Sequence, residues 1–140
     1  MLKILLGLVF CLFVARTVRG EIPEYARALA AALPAREVEI LLRVGREYGS
    51  SDEKVKLLLA IRKIENGGPG VEMGVESDYP RHRSHRYAGD LDRSLRLQAQ
   101  WAAGTIRRYY TGDLDAFAKR YCPPKWNHWS TMARHWMSRE

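Results

Sequence analysis

One carboxylate in this chain is placed to do acid–base chemistry. Glu65 follows the apolar residues Leu57, Leu58, Leu59, Ala60, Ile61 and Ile64 and immediately precedes Asn66-Gly67-Gly68-Pro69-Gly70. At 100° per residue it falls between Leu58 and Ile61, flanked by Leu57 and Ile64, with Asp52, Lys56 and Lys63 on the opposite side. The acid is therefore expected on the core side of its helix. Withdrawal from water disfavours a charged carboxylate, so such a group is expected to have a raised pKa and to hold a proton near neutral pH. That is what a general acid must supply. The competing reading is a helix-terminal Glu that turns to solvent or pairs with Arg62 or Arg107.

Positioning that group falls to a set of helices. Residues 21–33 are alanine-rich, with Ile22, Tyr25, Ala26, Leu29 and Leu33 on one side, and Pro34 ends the pattern. A second helix is expected over 35–48, where Val38, Leu41, Leu42, Gly45 and Tyr48 share a face before Gly49. Ser50 and Glu53 have capping-box spacing and are expected to open the helix that carries Glu65. From Asn66 to Asp90 the periodicity gives way to Gly, Pro, Arg and His, which predicts a long loop or a small irregular lobe. Leu91, Leu95, Ala99, Ala102, Ile106 and Tyr109 then form an apolar stripe on a helix expected to end near Gly112. Asp113 reads as the N-cap of a short helix through Tyr121, and Pro123 and Pro124 separate it from a last helix bearing Trp129, Met132, Ala133 and Trp136 on one face. No segment carries a convincing strand pattern. The expected fold class is mostly α.

The chain begins with Lys3 and an apolar run from Ile4 to Ala15, and small residues stand near Val18 and Gly20. This is the pattern of a secretory signal peptide over residues 1–20, leaving one domain over 21–140 and an exported, periplasmic or secreted product. The apolar run is short of the roughly 20 residues a membrane span needs, although an uncleaved anchor is the alternative. Cleavage would remove Lys3, Arg16 and Arg19 and no acid, so the formal charge of +7 falls by three to +4. Of the two cysteines, Cys11 and Cys122, only the second would remain, so no internal disulfide is expected and packing must supply stability.

Residues 79–87, YPRHRSHRY, set Arg81, Arg83 and Arg86 among tyrosines and are suited to gripping an anion, unless they form only a solvated loop. His82 and His85 lack a carboxylate or cysteine motif nearby, so no metal site is assigned, and no cofactor is expected. Trp126, Trp129 and Trp136 have nearly helical spacing, which favours the core. Trp101, off the main stripe of its helix, is placed to line a groove, and Asn127, pointing away from the Trp129 and Trp136 side, is a polar candidate for ligand binding.

The segment Ala60-Ile61-Arg62-Lys63-Ile64-Glu65-Asn66-Gly67-Gly68, followed by Met73-Gly74-Val75, resembles the catalytic Glu region of the lysozyme-like superfamily, especially its soluble lytic transglycosylase and phage endolysin branches. The likeness extends through Trp101-Ala102-Ala103-Gly104-Thr105-Ile106-Arg107 and Tyr121-Cys122-Pro123 with Asn127 and Trp129, covering most of residues 50–136. It departs at the Gly-Leu-Met-Gln segment, of which only Met73-Gly74 is reminiscent, and at the Ala-Tyr-Asn-x-Gly motif, echoed by Tyr109-Tyr110-Thr111-Gly112. The resemblance implies a lysozyme-like single domain with Glu65 catalytic and Met73, Gly74, Trp101, Tyr110 and Asn127 as substrate-binding candidates. It implies action on peptidoglycan glycan strands, with anionic wall polymers as further partners, no nucleic acid, and a monomer. A lytic transglycosylase needs one carboxylate, whereas a muramidase of the lysozyme type normally needs two, for which Glu72, Glu76 and Asp78 are available. A third reading is an exported, non-enzymatic basic helical module that binds cell wall or nucleic acid.

Overall fold

The structure is a computed structural model that describes residues 20–75 and 89–140. The expected signal segment up to residue 19 and the basic loop, together with Glu76 and Asp78, lie outside the described residues. A 3-10 turn at Glu24–Ala26 leads into α1 (Arg27–Ala31), followed by α2 (Ala35–Glu47) and α3 (Asp52–Glu65). Next come α4 (Leu91–Tyr109), α5 (Leu114–Tyr121), a 3-10 turn at Pro123–Lys125, and α6 (Trp126–Met137). The described residues are mostly α-helical and hold no strand.

At the centre is α3. Leu57, Leu58, Leu59, Ala60 and Ile61 are all buried in succession, with α1, α2, α4 and α6 packed around them. A helix buried on every side in its middle cannot have the single polar face that the wheel assigns to it. Lys56 and Lys63 are half-buried and each reaches a backbone carbonyl beyond its helix: Lys56 Nζ donates to the Arg139 carbonyl at 2.7 Å, and Lys63 Nζ donates to the Ala32 carbonyl at 3.3 Å. Lys63 also stands over the Trp136 ring, 5.2 Å from its centroid.

Other boundaries differ from expectation for local reasons. Ser51, one residue later than the expected Ser50, has extended backbone angles and its side chain accepts from the Lys54 N–H, so it caps α3. The expected helix over 21–33 is split, because Pro23 starts a 3-10 turn and only five residues then hold the α conformation before Pro34. Helix α4 stops at Tyr109 rather than near Gly112, since Tyr110 is already extended. Asp113 does cap α5, its Oδ1 accepting from the Asp115 and Ala116 N–H groups at 2.9 and 3.0 Å.

Candidate active site around Glu65

Helix α3 ends where Asn66 takes a left-handed conformation with φ of 44°, its N–H closing on the Arg62 carbonyl. The chain then folds back through two successive turns, Val71 N–H to Gly68 carbonyl and Gly74 N–H to Val71 carbonyl, both 3.0 Å. A side chain at Gly67 would lie 1.9 Å from the Val71 carbonyl oxygen, so only glycine lets the fold-back close this tightly. It returns Gly74 to the Glu65 side chain. With φ of +66°, Gly74 occupies a conformation that favours glycine, and a Cβ there would stand 2.3 Å from Glu65 Oε2.

Glu65 itself is half-buried. Its Oε1 accepts the indole N–H of Trp129 at 2.9 Å, across 64 residues of sequence. Arg62, a candidate partner, is engaged elsewhere: its guanidinium grips Glu37 through Nε at 2.7 Å and Nη2 at 3.1 Å. The carboxylate is thus held by Trp129 and packed against Gly74.

Aromatic rings continue the wall. Tyr121 at the end of α5 packs on Trp129 with centroids 5.3 Å apart and on Trp101 at 6.0 Å, while Phe117 underlies Tyr121 at 5.4 Å. Trp101 is 37% exposed, so the wall runs from the buried Trp129 to an open rim suited to a flat apolar ligand face. The Tyr121 hydroxyl donates to the Met73 carbonyl at 3.3 Å. Burial, and then the neighbouring Glu65 charge, push the Tyr121 phenol well above the usual tyrosine range, so it stays a neutral donor.

Behind the turn lies Gln98, fully buried on α4. Its Oε1 accepts the Met73 N–H at 3.1 Å, and its Nε2 donates to Glu72 Oε2 at 2.7 Å and to Ser94 Oγ at 3.3 Å. One amide therefore pins both residues before Gly74. Gln98→Leu keeps most of the volume but strands the Met73 N–H and the Glu72 carboxylate in the core. It is expected to lower unfolding stability by about 2–3 kcal/mol in a denaturant titration.

The site candidates divide accordingly. Glu65, Gly74 and, through Tyr121, Met73 and Trp101 come together. Met73 is fully buried, so its side chain packs in the core and its backbone faces the group. Tyr110 does not join them: its hydroxyl donates to Glu53 at 2.5 Å, twelve residues and ~18 Å of helix from Glu65. Burial and then the Glu53 carboxylate raise that phenol above its ordinary range. Asn127 is exposed, and its Oδ1 accepts the adjacent His128 N–H at 2.8 Å at the start of α6. Sequence periodicity passed over Gln98, although a glutamine amid Leu95, Ala99 and Ala102 is a detectable signal. It also passed over Trp129 as a donor. Among the described residues no group of three or more His, Cys, Asp or Glu side chains forms a metal-ligating cluster. Compared with protein-family models, curated proteins and solved structures, the chain matches none of them.

Proposed function

We propose that the protein is a peptidoglycan lytic transglycosylase that cleaves the β-1,4 bond between N-acetylmuramic acid and N-acetylglucosamine, with Glu65 as the sole acid and base. The observation that carries this reading is the cradle of Glu65: Oε1 on the Trp129 indole, Oε2 against Gly74, and an aromatic wall opening at Trp101. The protonated Glu65 carboxyl group protonates the departing glycosidic oxygen as its bond to C1 breaks, and the resulting carboxylate then takes the C6 hydroxyl proton. As it does, O6 bonds to C1, closing a 1,6-anhydro ring and returning the proton to Glu65. One carboxyl group serves both steps.

The nearest second acid in sequence supports the one-carboxylate version. Glu72 is 5% exposed and its Oε2 is bonded to Gln98, the place of a structural group rather than of a base that must activate water. The exported, periplasmic or secreted location expected from the leader matches a wall substrate.

Mass analysis of murein fragments after digestion tests the mechanism. Products are expected to end in 1,6-anhydromuramic acid, and Glu72→Gln, Glu76→Gln and Asp78→Asn are each expected to retain at least about a tenth of activity, a barrier change under roughly 1.4 kcal/mol. Reducing-end products, with one of these variants inactive, would make the protein a two-carboxylate muramidase. Wall binding with no fragments released would make it a non-enzymatic module.

A further inference from the structure

Between residues 107 and 125 the chain carries Arg107, Arg108, Lys119, Arg120 and Lys125 against two acids, Asp113 and Asp115. Both acids are engaged at the start of α5, Asp113 as its cap and Asp115 with Arg134 at 2.8 Å. Among the described residues, Arg36, Arg43, Arg62, Arg96 and Arg134 pair with carboxylates, and none of these five cations does. All five are exposed.

Two of them are organised around one ring. The Arg120 guanidinium lies 3.5 Å above the Tyr109 centroid, and that of Arg108 stands 5.7 Å from it. A guanidinium stacked by its face keeps its N–H edge for an oxyanion, the fork geometry that suits a carboxylate. The nearby Arg108 and then Arg120 guanidinium groups hold the Tyr109 hydroxyl below the usual tyrosine range. The cluster also adjoins the aromatic wall. Arg120 precedes Tyr121 in the aromatic wall, and Arg108 lies seven residues after Trp101, about two helical turns or ~10 Å along the same side of α4.

We infer that Arg108, Tyr109 and Arg120 form a carboxylate-binding subsite that holds the acidic stem peptides of a glycan strand lying along the aromatic wall beside Glu65. This deepens the proposed function and rests on it. A strand passing over Trp101 brings its substituents to the cluster, and the missing carboxylate partners are then supplied by the ligand.

Co-sedimentation of the purified protein with murein sacculi on ice tests this. R108Q/R120Q is expected to bind native sacculi about tenfold more weakly at low salt, with an unchanged helical signal and thermal midpoint. Amidating the murein carboxyls with carbodiimide and ethanolamine should bring the wild type down to the variant's level and leave the variant unaffected. R108K/R120K keeps the charge but loses the stacked fork, and is expected to fall about threefold or more. Wild-type binding by either double variant, or tighter wild-type binding to duplex DNA than to polyglutamate, overturns the subsite. If the wild type ignores sacculi but binds polyglutamate through these two arginines, the wall reading of Glu65 fails and the carboxylate subsite stands.

Discussion

Glu65→Gln is expected to lower murein cleavage by about a thousandfold, within the range that a positioned general acid contributes, while the thermal midpoint stays nearly unchanged. The substitution targets the proton because glutamine keeps the shape of glutamate. Its carbonyl oxygen can still accept the Trp129 indole N–H at the place of Oε1, and its amide nitrogen replaces Oε2 beside Gly74. Shape and the Trp129 hydrogen bond survive, and the titratable group is lost. Clearing of a sacculus suspension measures the first quantity and circular dichroism melting the second. Activity near wild type would remove Glu65 from the mechanism. A collapsed melting transition would make it a structural residue.

Gly74→Ala should be nearly as damaging to activity, by about a hundredfold, through geometry alone. Alanine at φ of +66° costs about 1–2 kcal/mol of backbone energy. Its methyl group would also stand 2.3 Å from Glu65 Oε2 and 2.7 Å from the carboxyl carbon, so the acid must swing out of its place. Displacement of a reacting group by about 1 Å is enough for a loss of that order. Gly68→Ala is the internal control, because a Cβ at Gly68 meets nothing within 4 Å. Equal activity in the two variants would show that the contact of Gly74 with Glu65 has no catalytic consequence.

What the sequence disclosed and what it withheld divide along one physical line. Periodicity and caps report interactions within a few residues, so Asp113 and the stretches that became α2, α4 and α6 were legible. The helical position of Glu65 beside a glycine turn was legible for the same reason. The neighbours of Glu65 were not. Trp129 reaches it over 64 residues and Gln98 reaches Met73 over 25, and no local pattern specifies which helix faces which. Tyr110 illustrates the converse. A motif echo groups it with the site, but extended backbone at the end of α4 sends its hydroxyl to Glu53, at the other end of α3. The wheel set Glu65 on the core side, and the structure leaves it half-buried; nor could the wheel show that Leu59 and Ala60 are enclosed.

The continuous burial of Leu57 to Ile61 has a dynamic meaning. Backbone segments packed on all sides exchange their amide protons through opening of the whole domain, whereas exposed turns open locally at little cost. Glu65 stands one turn beyond such a segment, so its mount does not breathe separately from the fold. The turn bearing Gly74 shares that insulation, since Glu72, Met73 and Val75 are buried and Met73 is bonded to Gln98 and to the Tyr121 hydroxyl. The Glu65 carboxyl group thus stands between two insulated segments, and any adjustment to an arriving ligand falls to the half-buried Glu65 side chain and the exposed Trp101 rim.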